Sequence, residues 1–161
     1  MKVLVVGFGS IGHRHVNNLL KYPDMEVIIC TNKKSISTEI QKSCKIVKSL
    51  EYGIKETPDI AFITNVTSEH VSTAIKLAEC GINLFIEKPL SHSMEHIDSL
   101  SEIIKRKKIN EKIGSNFRFH ECIKKIKELL NENIIDEIIS VRVECGSYLP
   151  DWHPNEDYRS G

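Results

Sequence analysis

Short apolar runs alternate with stretches of helical period through most of this chain. Residues 2–6 read KVLVV, a β-branched run that suits a strand. A helical pattern follows over about 11–21, with Ile11, Val16, Leu19 and Leu20 on one side and Pro23 as its stop. EVIIC at 26–30 is a second strand, and a weaker helix over about 35–43 leads to a short strand near 44–47. Thr57-Pro58-Asp59 marks a turn before strand IAFIT at 60–64. The helix over about 68–79 carries Val71, Ala74, Ile75, Leu77 and Ala78, and Gly81 stands where a C-terminal stop is expected. NLFIE at 83–87 is a strand ending on Lys88-Pro89. Ser93 is placed to cap a helix over about 94–107, and KIGSNF at 112–117 reads as a further strand.

These strands are nearly continuous in apolar residues, the pattern of a sheet covered by helices on both faces. With alternating helices and right-handed crossovers, that predicts an α/β fold with a doubly wound parallel sheet. Ligands bind such sheets at the carboxyl ends of the strands. The glycines after residue 6, Thr31, Thr64-Asn65, Glu87-Lys88 and Asn116 all fall at predicted carboxyl ends.

After Phe119 the pattern changes. A helix over about 121–131 carries Ile123, Ile126, Leu129 and Leu130. Residues 138–149 then alternate, with Ile139, Val141, Val143 and Cys145 on one face. Alternation predicts a strand with two unlike faces, the first of a second sheet. A lone strand cannot bury its apolar face, so partner strands are expected from another chain or from further sequence. The predicted domains are therefore 1–120, and 121–161 as the incomplete beginning of a second domain.

The first strand leads into Gly7-Phe8-Gly9-Ser10-Ile11-Gly12, which opens the first helix. In that context the spacing predicts a dinucleotide-binding loop. Gly7 permits the tight turn, Gly9 lets backbone approach a pyrophosphate, and Gly12 lets the helix pack close to the strand. The free N–H groups and positive dipole of the helix start favour the anion.

Composition narrows the classes. Over 161 residues the formal net charge is zero, which gives no global argument for nucleic acid. The run Lys105-Arg106-Lys107-Lys108 falls at a helix end, where cations complement the dipole and face water. No apolar stretch approaches the ~20 residues of a membrane span. Five cysteines are dispersed and never in C-x-x-C spacing, which predicts reduced thiols in a cytoplasmic protein. His92 and His96 stand at helical spacing without further ligands, so no metal site is expected.

The Gly loop, the apolar strand before Glu87-Lys88-Pro89, the segment SNFRFH and the closing LPDWHPNEDYRSG together resemble the glucose–fructose oxidoreductase/inositol dehydrogenase (Gfo/Idh/MocA) family. The resemblance covers this whole chain and about the first half of a family member. It implies an N-terminal Rossmann domain followed by the first strand of a truncated α+β domain. It further implies an NAD(P)-dependent oxidoreductase acting on a hydroxyl or ketone of a sugar or sugar nucleotide, in a homo-oligomer. Lys88 matches the lysine that assists proton transfer at the substrate oxygen, where a cation stabilises developing negative charge. Asn65 and Val66 take the places of the family's Thr-Pro near the nicotinamide ribose, and His70 matches its histidine. The resemblance also implies cofactor contacts from Thr64, His70, Glu87, Lys88 and Asn116. Arg118, Trp152, Tyr158 and Arg159 are candidates for the substrate side.

Cofactor choice turns on the end of the second strand, Cys30-Thr31-Asn32-Lys33-Lys34. NAD-preferring members carry an acid there for the ribose 2′-hydroxyl. Thr31 does not repel a 2′-phosphate, and Lys33 or Lys34 is placed to attract one, which favours NADP over NAD. The family's remaining catalytic Asp and His have no match in this chain. The alternative is therefore a non-catalytic dinucleotide-binding or dimer-forming remnant.

Overall fold

The computed structural model describes residues 1–134 and 137–146. The chain divides into two compact units, Met1–Gly114 and Ser115–Gly161.

The first unit alternates strands and helices. In chain order they are β1 (Lys2–Val6), α1 (Ser10–Leu19), β2 (Glu26–Cys30), α2 (Thr38–Ser43), β3 (Lys45–Val47), α3 (Leu50–Lys55), β4 (Ile60–Ile63), α4 (His70–Glu79), β5 (Asn83–Ile86), α5 (Ile97–Lys107) and β6 (Glu111–Ile113). The six strands form one sheet in the order β3-β2-β1-β4-β5-β6. Every pairing is parallel, with Val5 opposite Ile29 on one side and Phe62 on the other. Strand order reverses between β1 and β4, the switch point at which such sheets open a crevice. This is the predicted α/β, doubly wound Rossmann sheet.

Burial follows from alternation along the pleat. Leu4, Ile28, Ala61, Ile63, Leu84 and Ile86 face one layer, packed with Val71, Ala74, Leu77 and Leu100 from α4 and α5. Val3, Val5, Val27 and Ile29 face the other, with Val16 and Leu19 from α1 and Ile40 from α2. Because helices cover both faces of the central strands, residues 3–6 and 27–30 are buried without a break.

Several local expectations are corrected. Helix α3 has no counterpart in the sequence reading. Six residues are too few to show a period, and it is started locally by the Ser49 hydroxyl, which accepts from the Tyr52 N–H. Helix α5 begins at Ile97, and Ser93 does not cap it. The Ser93 hydroxyl instead accepts from the Glu95 N–H two residues on, closing a local turn. Strand β6 ends at Ile113, because its ladder partner β5 ends at Ile86. Residues Asn116–Phe119 form a 3-10 turn rather than the end of that strand. Gly81, at φ 75°, ends α4 as expected.

In the second unit, α6 spans Glu121–Asn131, with the His120 ring accepting from the Cys122 N–H at its start. Residues 137–146 form no strand, and Ile139, Val141 and Val143 are exposed. Alternation defines two faces, but a strand also needs a ladder partner, and none is present among the described residues. Residues 147–149 of the predicted strand lie outside the described residues. Among the described residues, no helix is long and apolar enough to cross a membrane.

All five cysteines are free. Burial pushes the Cys30 thiol up from its ordinary value, and the Glu51 carboxylate adds to the shift. Burial alone raises Cys44. Both therefore stay protonated at neutral pH, while Cys80, Cys122 and Cys145 are exposed. Alkylation followed residue by residue by mass spectrometry should label those three first, with Cys30 and Cys44 gaining reactivity only as pH rises or the chain unfolds. Leu4 is fully buried at the centre of the sheet. Leu4→Ala should cost about 2–5 kcal/mol in urea unfolding, as expected for a large-to-small change in a close-packed core.

Candidate functional site

The carboxyl ends of the strands are held level by one repeated bond. The first N–H beyond five of the six strands donates to the last carbonyl of a neighbour. Gly7 donates to Cys30, Thr31 to Val47, Thr64 to Val6, Glu87 to Ile63 and Gly114 to Ile86, all at 2.8–3.0 Å. Four of the five predicted segments thus emerge along one edge of the first unit: the Gly loop, Thr31–Lys33, Thr64–Val66 and Glu87–Lys88. Asn116 and Arg118 belong to the second unit. Trp152, Tyr158 and Arg159 lie outside the described residues.

The centre of this edge is a close approach of two loops. The Thr64 hydroxyl donates to the Val6 and Gly7 carbonyls, at 3.0 and 2.9 Å. Gly7 adopts φ 94°, and a Cβ there would meet the Asn65 backbone at 2.6 Å. A Cβ on Gly12 would lie 2.3 Å from the Gly7 carbonyl oxygen. Both positions therefore require glycine for contacts within the protein. Gly9 differs. Its φ is −79°, and a Cβ there would meet nothing within 4 Å. The protein itself gives no reason for glycine at that position, whereas a ligand lying against the loop does.

Helix α1 starts at this open space. Gly9 is its N-cap and supplies no side-chain cap, and its first turn carries no acid. The N–H groups of that turn and the positive end of the helix are therefore not neutralised by a side chain, the condition that suits an anion. Gly9 and Ser10 are exposed, Ile11 is half-buried, and Phe8 is buried beneath the loop. Residues present thus fit a pyrophosphate at the Gly loop.

Beside the loop, the Thr31 hydroxyl accepts from the Lys33 N–H at 3.1 Å. The Lys33 ammonium lies 6.0 Å from the centre of the Phe8 ring. The turn after β2 thereby brings a cation next to the Gly loop, with Asn32 exposed between. No acid occupies this turn.

On the other flank, Lys88 is exposed. Its N–H donates to Glu87 Oε2 at 3.2 Å, while Glu87 Oε1 lies 2.7 Å from His15 Nε2. Both carboxylate oxygens of buried Glu87 are thus engaged by the protein, and the carboxylate also abuts Gly114. Its observed contacts orient the backbone at Lys88. His15 is the partner that sequence reading missed. It reaches Glu87 across 72 residues and packs on Phe62 and Phe85 at ring distances of 5.1 and 5.4 Å. Nothing in the spacing of Gly12-His13-Arg14-His15 signals that contact.

His70 is buried, with Nδ1 facing the Pro89 carbonyl at 2.9 Å and Nε2 facing the Asn65 carbonyl at 3.1 Å. The Asn65 amide donates to Glu69 Oε2 and Thr73 Oγ1, both at 3.0 Å. Val66 is exposed at the tip of the loop. His96 pairs only with neighbouring Glu95. Among the described residues, no group of three His, Cys, Asp or Glu side chains is arranged to hold a metal ion.

Comparison with known proteins agrees with this geometry. A family model described as an oxidoreductase family with an NAD-binding Rossmann fold matches residues 1–114. The scyllo-inositol 2-dehydrogenase (NAD(+)) of Bacillus subtilis is 30% identical over 74% of this chain and 36% of its own length. The myo-inositol 2-dehydrogenase of Thermotoga maritima is 26% identical over 98% of this chain and 48% of its own. Among solved structures, a probable dehydrogenase from Thermotoga maritima superposes with a TM-score of 0.74 at 26% identity, covering 84% of this chain and 42% of that one. This chain therefore spans less than half the length of each of these relatives. With the glycine cradle at the switch point and a family match across the whole first unit, the chain belongs to the Gfo/Idh/MocA oxidoreductase family and carries its NAD-binding Rossmann domain.

Proposed function

We propose that this chain is the cofactor-binding part of an NAD(P)-dependent oxidoreductase that acts on a carbinol carbon or ketone of a sugar or related polyol. The observation that carries the reading is Gly9, whose missing side chain leaves space that only a ligand would use. It stands at the uncapped start of α1, the end that favours a phosphate anion. The relatives named for inositol oxidation support the substrate class. The five free thiols support a cytoplasmic setting. The family resemblance supports a homo-oligomer as the working form.

Residues 7–12 would hold the pyrophosphate, and Thr31, Asn32 and Lys33 the adenosine ribose. Thr64, Asn65 and Val66 would border the nicotinamide side. The dinucleotide, when bound, supplies the hydride acceptor or donor. Lys88 would stand at the substrate oxygen. There its ammonium stabilises negative charge as a hydroxyl proton departs, and its amine form can take that proton. An exposed lysine on a fixed turn suits this role, because the side chain is free to reach a ligand while its backbone is held.

Two measurements test the reading. In Gly9→Val the new side chain enters open space, so the fold should persist with an unchanged melting transition. Its dinucleotide affinity by isothermal titration should fall by at least about tenfold, ~1.4 kcal/mol. Equal binding by wild type and Gly9→Val would remove the assignment. Cofactor choice is the second. NADP(H) should bind at least as tightly as NAD(H), because the turn beside the loop carries Lys33 and no acid. Thr31→Asp should move the ratio toward NAD(H) by on the order of tenfold through repulsion of the 2′-phosphate. A wild-type preference for NAD(H) would contradict the role given to Lys33.

A further inference from the structure

Lys88 is bracketed by two ties to different helices. On one side, Glu87 is held to His15 of α1 and accepts the Lys88 N–H through its other oxygen. On the other side, the Pro89 carbonyl meets His70 Nδ1, the first residue of α4. The same ring reaches the Asn65 carbonyl through Nε2. Strands β4 and β5 are neighbours, so the loops leaving their carboxyl ends run side by side. The buried imidazole spans the gap between those two loops.

We propose that His70 is a positioning residue for Lys88, acting as a strut that ties the Lys88-Pro89 turn to the Asn65 loop. A backbone carbonyl can only accept and a neutral imidazole carries one N–H, so the ring donates to one carbonyl and packs against the other. The contact to Asn65 is backed by a second layer, because the Asn65 amide is itself fastened to Glu69 and Thr73. Strain or slack in the Asn65 loop is thereby passed through one ring to the residue after Lys88. No other described hydrogen bond joins residues 65–66 to residues 88–89. The strut thus sets the spacing between two segments that border the nicotinamide side, and it acts on Lys88 through the backbone it holds.

This rests on the proposed reading that a nicotinamide dinucleotide lies along the edge. Two ligands separate the strut from general stability. ADP-ribose has the adenosine and pyrophosphate but no nicotinamide, so it would engage the Gly loop and the Thr31–Lys33 turn without the nicotinamide side. His70→Phe should keep ADP-ribose affinity within about threefold of wild type and lower dinucleotide affinity by about tenfold. His70→Gln, whose amide still donates, should recover part of that loss. Equal losses for both ligands, or no loss for either, would overturn the proposal. The tie is also read directly in the ligand-free wild-type chain by NMR. One His70 ring N–H proton should be observed as a slowly exchanging signal, near Asn65 or near Pro89. Absence of any such signal would overturn the strut even if His70→Phe fails to fold. Failure of wild type to bind either ligand, with that ring signal present, would instead overturn the dinucleotide reading.

Discussion

The close approach of the loops after β1 and β4 is the constraint on which the rest of the first unit depends. At the switch point those loops pack backbone against backbone, with the Thr64 hydroxyl bonded to the Val6 and Gly7 carbonyls between them. No Cβ fits at Gly7 or Gly12. Absence of those two side chains lets α1 start at the sheet edge rather than beyond it. The positive end of the helix is then delivered to the one place along the edge where the strand order opens. A methyl group at Gly12 would push the helix away from the Gly loop, and one at Gly7 would push the Asn65 loop away from it.

From that contact the site extends in both directions along the sheet. Toward β2, a short turn places Lys33 beside the Gly loop. Toward β5, a buried carboxylate and two histidines hold the turn that carries Lys88. The division of labour is physical. The buried groups Glu87 and His70 are engaged by the protein and fix backbone, as unpaired ones would be costly. Exposed groups at Gly9, Ser10 and Lys88 are left for a ligand. Asn65 Oδ1 is the buried side-chain atom without a partner among the described residues, and it too lies in the loop bordering this edge.

Much of this was legible in the chain itself. Continuous apolar runs identified the buried parallel strands, because a sheet covered on both faces leaves no alternation to read. The register of glycines identified the loop, because only close approach demands glycine at that spacing. What was not legible came from contacts distant in sequence. His15 meets Glu87 only after the sheet has formed. The shortness of β6 is set by where β5 ends, not by its own residues. Ser93 offered a cap by composition but closed a nearer turn. The alternating segment at 138–149 has the pattern of a strand, yet pattern supplies faces and not a partner. Residues 138–146 accordingly form none.

The central claim is that the start of α1 is an anion cradle for a nicotinamide dinucleotide. Backbone amide shifts in a nitrogen-15-labelled chain test it most directly, as dinucleotide is added stepwise. The account predicts the largest changes at Gly9, Ser10, Ile11 and Gly12, with a second group at Thr64, Asn65 and Val66. Saturating changes confined to the groove between α5 and β6, lined by Leu90, Ile97, Ile104 and Ile113, would contradict it.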